Sequence, residues 1–450
     1  MNVIILTSNS EKHGVFWQSK LAAIYPASLV INVFEDWPQG AGNWLGTLNA
    51  WKQAQIIAWE KYGRKLEQEM EEGASVALYH TAGKGQRMYP LTAVEKFNKS
   101  AIKLPCGVTE PQTLLESVIK QTSLLSEYRK GRLSVFWTDQ LFLTDNKPDI
   151  SKASVRVMCQ KRPFPSIEQW ESGLWSQYGV IGIGEDGCLR HLEKVDYQTA
   201  KHYSLSGIAL SLGDFSISST FLKQLMAEFA AELESKQTQM DVESFLLMPA
   251  TLSIEDYRSL RAQKGVSPQE SDAHFGRIQR LLQKYGNFSY ALEDIGSKGK
   301  WWDFGSVENY YHSLMSMCNQ KELREFLYPK MPKQPTHLDL DEASILVNCS
   351  IHSGKVRNSI LYNVQANRVD CNEVLAIDVE APTLYGDHAL VYEVQSGDPL
   401  ILEKDGLRAD LTVDDRKIVM YTHIDKDPRA DWNRKIEGNP YCYRELAEQE

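Results

Sequence analysis

From residue 1 to about residue 315, short apolar runs alternate with longer segments in which apolar residues recur every three or four positions. Residues 3–6, 29–34, 76–79, 133–136, 155–158 and 179–183 are rich in β-branched and aromatic side chains, which predicts buried strands. Between them, 17–24, 47–62, 113–128 and 218–235 carry the apolar spacing of amphipathic helices. Strand–helix alternation predicts an α/β fold with a mostly parallel, Rossmann-like sheet covered by helices on both faces. Ligands of such sheets bind at the carboxyl ends of the strands, so motifs that follow a strand carry most weight.

The pattern breaks at Lys330-Met-Pro-Lys-Gln-Pro335, where two prolines within four residues favour an extended connector. The chain therefore divides into 1–320, a linker over 321–336, and 337–450. In the last part small apolar residues recur every five or six positions: Ile345, Ile351, Val356, then Val364, Val369, Val374 and Val379. That spacing fits the short coils of a parallel β-helix, and it also fits an antiparallel β-domain with irregular strands. Residues 386–450 have no clear pattern.

Composition narrows the class. Of 450 residues, 42% are hydrophobic and 24% charged, enough for a sizeable core in two or three domains. Lys and Arg number 49 against 59 Asp and Glu, a net charge of −10. That balance argues against a general nucleic-acid or membrane-surface binder, which needs a basic face. Seven dispersed cysteines without a C-x-x-C pair read as reduced thiols of a cytoplasmic protein, not as a disulfide frame or zinc site. No apolar run approaches the roughly 18 residues of a membrane helix. The opening MNVIILTSNS lacks the basic head and cleavage site of a secretory signal and reads as a first strand.

The strand at 76–79 runs into His80-Thr-Ala-Gly-Lys-Gly-Gln-Arg-Met-Tyr-Pro90. Two glycines one residue apart let the backbone turn tightly and aim successive N–H groups at an anion. Arg87 adds a planar fork matched to phosphate oxygens. With Lys84, Lys96, Lys99 and Lys103 it makes five cations in a short stretch of an acidic chain. A polyanion such as a nucleoside triphosphate explains them; so does a surface turn followed by a solvated basic helix. A Walker loop is excluded, since no Lys-Ser/Thr pair follows the last glycine. Gly40-Ala-Gly42-Asn-Trp-Leu-Gly46 has one residue too many for a dinucleotide fingerprint and leaves an NAD-binding dehydrogenase as a second reading.

Thr81-Ala-Gly-Lys-Gly-Gln-Arg-Met88, with Pro90-Leu-Thr92 and Lys99-Ser-Ala-Ile102, resembles the signature of sugar nucleotidyltransferases, the NDP-sugar pyrophosphorylases. The resemblance implies that Ala82, Gly83, Lys84, Gly85 and Gln86 cradle the triphosphate. It implies further that Arg87 contacts its β- and γ-phosphates and that Lys99 lies beside the α-phosphate and the sugar phosphate. Gln86 stands where the family usually has Thr, and Lys99 comes slightly late, so Lys96 and Lys103 are alternatives. Trp137-Thr-Asp139-Gln-Leu resembles the family's G-D-x-L segment, and Trp302-Asp303-Phe-Gly305 its W-x-D-x-G-T segment. These imply Asp139 and Asp303 as the carboxylates that hold Mg²⁺. Tyr178-Gly179-Val180 and Glu193-Lys194 resemble the Y-G-V … E-K pattern, implying sugar and sugar-phosphate contacts by Gly179, Glu193 and Lys194, with Gly207 on the next strand. The family's Asn near Gly207 is Leu205 here.

The segment from Gln39 to Ala50 resembles the start of GDP-fucose pyrophosphorylases, which makes Gly42, Gly46 and Thr47 candidates for base or ribose contacts. Thr47 also reads as the N-cap of helix 47–62. Ile345-Leu-Val and Gly354-Lys-Val-Arg-Asn-Ser-Ile-Leu361 resemble the left-handed β-helix of ADP-glucose pyrophosphorylases, a domain that serves packing, oligomer contacts or regulation. The implied reaction joins an NTP and a sugar 1-phosphate into an NDP-sugar with release of pyrophosphate. Its nucleophile is already anionic, so it needs no Ser/His triad. A non-catalytic nucleotide-sugar sensor of the same fold is the alternative.

Overall fold

Val3–Ser8 (β1) is apolar at nearly every position and buried throughout, as a strand covered on both faces must be. In the computed structural model, which describes all residues except 84, 108–109, 149–150, 329–333, 414–415, 437–439, 449–450 and the Phe326 side chain, β1 pairs in parallel with Leu29–Phe34 (β2) and Ser75–His80 (β3). Arg132–Trp137 (β4) extends the parallel set beside β3. Lys84 and residues 330–333 of the connector motif lie outside the described residues.

Beyond β4 the sheet becomes mixed. Val155–Arg162 (β5), Gly179–Ile183 (β6), Leu189–Glu193 (β7) and Gly207–Ser218 (β8) follow, and β8 runs antiparallel to β4, β5 and β6. A short turn can only join antiparallel strands, and β6 and β7 form such a hairpin. Tyr290–Asp294 (β9) closes beside β5 in parallel. The Rossmann-like half is thus the parallel set β2-β1-β3-β4, with antiparallel strands continuing the same sheet.

Glu11–Ile24 (α1) is capped by Ser10, whose side chain accepts from the His13 amide. Gly42–Tyr62 (α2) begins before Thr47, so Thr47 is not its N-cap. The first-turn amide of Asn43 is satisfied instead by Asp241 Oδ1 at 2.8 Å, a partner remote in sequence. The helical stretches expected at 113–128 and 218–235 each fall into two pieces, Leu114–Ser123 with Ser126–Arg129, and Ser219–Glu228 with Ala230–Ser235. Among the described residues no helix is long and apolar enough to cross a membrane.

The C-terminal sheet winds. Ser350–Arg357 (β10), Ile360–Glu380 (β11) and Thr383–Gln395 (β12) pair in parallel with partners fifteen residues on: Ser350 with Gln365, and Val369 with Leu384. Val364, Val369, Val374, Val379, Leu384, Ala389 and Val394 follow one another at five-residue spacing and are all buried. The coil therefore continues past 385, into the stretch whose sequence carries no clear pattern. Asn348, Asn363, Asp378 and Glu393 turn corners at φ between 52° and 54°. Asn348 Nδ2 donates to Asn363 Oδ1 at 2.7 Å and Asn363 Nδ2 to Asp378 Oδ1 at 2.5 Å, so the corner side chains form a ladder. Gly406–Val413 (β13) and Arg416–His423 (β14) end the stack as an antiparallel hairpin.

By packing the chain forms two units. One contains 1–82, 122–137 and 142–301; the other contains 83–121, 138–141 and 302–450. The 83–121 segment is bound to the coil: Lys103 Nζ donates to Asp378 Oδ2 at 2.7 Å and to Glu393. The Lys103 amide donates to Tyr392 Oη at 2.9 Å, and that hydroxyl donates to Glu95 Oε1 at 2.6 Å. Leu384, fully buried in the coil core, gives a direct test of the winding. Leu384→Ala is expected to destabilise the coil by about 2–5 kcal/mol, read as a lowered midpoint in urea unfolding.

Candidate active site

In the second unit the loop glycine Gly85 takes φ 60°, and a β-carbon there would lie 2.8 Å from Thr92 Cγ2 and 3.0 Å from Lys99 Cβ. Only glycine permits both this backbone and this approach. Gly83 by contrast meets no atom at that radius. Gln86–Met88 follows as a 3₁₀ turn with Arg87 exposed. Lys99 lies in a second 3₁₀ turn, fixed by fully buried Ser100, whose hydroxyl bonds Thr138 Oγ1 at 2.9 Å. Lys99 Nζ forms an ion pair with Asp139 Oδ2. Lys103, committed to the coil carboxylates, points elsewhere.

Asp303 is oriented by the Gly305 amide, which donates to its Oδ1 at 2.7 Å, and by Asn309 Nδ2, which donates to its Oδ2 at 2.9 Å. The Phe304 amide donates to the Asp139 carbonyl at 2.7 Å, tying the two carboxylate segments together. A β-carbon built on Gly305 would lie 2.8 Å from Asp303 Oδ1, 3.1 Å from Arg87 Nη2 and 3.3 Å from Asp139 Oδ2. The structure thus brings Arg87, Asp139 and Asp303 around one bare α-carbon, with Lys99 paired to Asp139. Burial pushes the Asp139 carboxyl up, but the charge and hydrogen bond of Lys99, with the charge of Arg87, outweigh it and hold it below its ordinary value.

In the first unit Ala82 ends the loop's entry, which Thr81 anchors: its amide donates to Thr7 Oγ1 at 3.1 Å. Gly42 has φ 71°, and a β-carbon would come within 2.5 Å of the Met240 carbonyl. Thr47 Oγ1 donates to the Asn43 carbonyl at 2.7 Å and lies 2.9 Å from His80 Nε2. The His80 ring stacks on Trp137 with centroids 5.1 Å apart. Burial pushes its pKa down to about 4, so the imidazole is neutral. Gly46 faces His80 Cε1.

Glu193 lies opposite Gly179 across β6 and β7, and His191 shares that face because side chains alternate along a strand. A β-carbon on Gly179 would be 3.1 Å from Glu193 Oε2, 3.5 Å from His191 Nε2 and 3.5 Å from Ser211 Cβ. Lys194 Nζ is 3.3 Å from Glu193 Oε1. Gly207 is not part of this group. It pairs with Ile183 at the far end of β6, roughly 13 Å away by strand rise.

Sequence reasoning missed four members of this region. Asn43 Nδ2 donates to Glu243 Oε2 at 3.1 Å, linking the first turn of α2 to a second carboxylate. Burial first, then the charge of Glu193, push Glu243 up to about 7. His191 is fully buried and lies 3.0 Å from Tyr290 Oη through Nδ1; burial pushes it down to about 3. No motif marks Asn43, Glu243, His191 or Tyr290, which come from segments far apart in sequence; only the glycine beside Asn43 was a signal.

No family model and no curated protein matches the chain. Among solved structures, a mannose-1-phosphate geranyltransferase from Thermus thermophilus is similar over 83% of this chain and 97% of its own, at 15% identity and a TM-score of 0.33. A likeness that distant carries no argument about this chain, and the functional reading rests on the geometry.

Glu243 also gives a pH signature. Its pKa is raised on folding from the ordinary 4.5 to about 7, so the folded state holds the extra proton between these values. Stability contributed below pH 4.5 is therefore lost as pH rises toward 7. Urea midpoints measured across that window are expected to fall with pH in the wild type and to fall less steeply in Glu243→Gln.

Proposed function

We propose that the chain is a sugar-1-phosphate nucleotidyltransferase, acting on soluble substrates in the cytoplasm. An oxygen of the sugar 1-phosphate attacks the α-phosphorus of an NTP in line; the bond to the bridging oxygen breaks, and pyrophosphate leaves with its electron pair. The observation that carries this reading is the gathering of Arg87, Asp139 and Asp303 around Gly305, with Lys99 paired to Asp139. Two cations there offset the charge spread over the reacting phosphates, and the turn at Gly85 aims backbone N–H groups at them.

Asp139 and Asp303 would hold Mg²⁺. Among the described residues no group of three or more His, Cys, Asp and Glu forms a metal cage. The donor set nonetheless suits this ion, which characteristically takes one or two carboxylates and completes its shell with water and substrate phosphate. When bound, Mg²⁺ supplies further neutralisation of phosphate charge. Lys99 keeps Asp139 ionised, and Gly305 and Asn309 fix the direction of Asp303. On this reading the face at Gly179, Glu193 and Lys194 takes the sugar phosphate, and Gly46 and Thr47 take the base or ribose beside the neutral His80. The fifteen-residue coil is read as a left-handed parallel β-helix.

Pyrophosphate release measured across four NTPs and a panel of sugar 1-phosphates is expected to find one productive pair. Tight NDP-sugar binding without turnover for any pair would support a sensor instead. With that pair, Asp139→Asn is expected to lower kcat by about 10²–10³-fold while the circular dichroism spectrum stays native. Gly305→Ala, which displaces Asp303 by filling the shared point, is expected to cost about 10²-fold. Unchanged turnover in either variant would overturn the assignment.

A further inference from the structure

Residues 425–436 and 440–448, to which no sequence motif gave a role, reach the phosphate loop. Tyr89, two residues after Arg87, is fully buried and stacks with two rings: Trp432 at 5.0 Å between centroids with planes 11° apart, and Tyr443 at 5.0 Å and 9°. Phe97 meets the edge of the same stack, 5.8 Å from Tyr89 and 6.4 Å from Trp432. The two clamping residues are themselves joined, since the Arg444 amide donates to the Trp432 carbonyl at 3.1 Å. The short helix Pro428–Asp431 packs on the turn Gln86–Met88, and Tyr443–Ala447 packs on Leu91–Val94, so the tail contacts the elements before and after Tyr89. Asp427, at the start of this segment, also feels Arg87. The hydrogen bond from Arg429 first, and the charge of Arg87 in addition, hold its carboxyl below the ordinary value.

The turn is also held by Met88, which is fully buried, and by Thr92 Oγ1, which donates to the Gly85 carbonyl at 3.4 Å. Its backbone closes through the Met88 amide, which donates to the Gly85 carbonyl at 2.9 Å, and Arg87 itself is exposed. A planar ring stacked with two others cannot shift without disturbing two contacts at once, each typically worth about 0.5–1.5 kcal/mol beyond its buried area. We propose that Trp432 and Tyr443 are positioning residues of the phosphate site: by clamping Tyr89 they fix the turn Gln86–Met88 and so aim Arg87. The aim at phosphate rests on the proposed nucleotidyltransferase reading; the clamp itself does not.

Two measurements on the full chain separate these. Hydrogen exchange followed by mass spectrometry is expected to show the peptide over 85–94 exchanging about tenfold faster in Trp432→Ala than in the wild type, with β1 unchanged. Tyr443→Leu, which keeps apolar bulk and removes the ring, is run beside it, so a folding failure of one variant leaves the other as the test. Unchanged exchange over 85–94 overturns the clamp. Calorimetric titration with inorganic pyrophosphate in Mg²⁺ is expected to show binding weakened about tenfold in Trp432→Ala and restored to within about threefold in Trp432→Phe, a rescue that depends on the ring. Wild-type affinity in Trp432→Ala overturns the positioning role. If the wild type binds no pyrophosphate, the nucleotidyltransferase reading falls, and exchange alone decides the clamp.

Discussion

One cation and two carboxylates can share one point only where no side chain occupies it and where each charge has an opposite neighbour. Gly305 supplies the first condition and the Lys99–Asp139 pair the second. Desolvation alone would push a carboxyl at this depth toward its neutral form, and Lys99 reverses that balance. Asp139 is therefore held toward its ionised form. The remaining contacts of the site serve this arrangement. Gly85 lets the loop approach Lys99, Ser100 locks the lysine's turn to Thr138, and the Phe304 amide fastens one carboxylate segment to the other.

The same logic explains why a long coil accompanies a small cluster of charges. The 83–121 segment is built of short helices, turns and two-residue strands. Lys103 is gripped by Asp378 and Glu393, two corner residues of successive coils, and Tyr392 binds both the Lys103 amide and Glu95. Left-handed corners at non-glycine residues are costly. Here the side chains of those corners are bonded to one another up the stack, which offsets the cost and leaves a rigid row against which the segment is held. The tail holds the same segment through Tyr89. A domain expected to serve packing or oligomer contacts thus has a second task inside its own chain.

Much of this was legible. The runs at 29–34 and 179–183 coincide with strands, and 3–6, 76–79, 133–136 and 155–158 lie inside them, because a buried strand must be apolar almost continuously. The five-residue spacing of valines marks the coil because each turn presents inward-facing positions at a fixed interval. The spacing is hard to see beyond 385 because only Ala389 and Val394 prolong it before the closing hairpin, whose first strand is buried at six consecutive positions instead. Thr47 misled because a helix start is ordinarily capped locally, whereas here the capping oxygen belongs to Asp241.

The kinds of groups available for chemistry were readable from sequence: a flexible glycine turn, an excess of local cations, acids just beyond strand ends. Those are local properties, set by covalent chemistry and short-range periodicity. Which lysine meets which acid was not readable. Lys99 and Lys103 have the same chemistry and differ only in that folding turns one to Asp139 and the other to the coil. Glu243, raised by burial and by the charge of Glu193, and His191, held neutral by burial, are ordinary polar residues until the fold surrounds them. Charge, desolvation and ring stacking act over a few ångströms in space, however far apart the partners lie in sequence, so these pairings were decided by the tertiary structure.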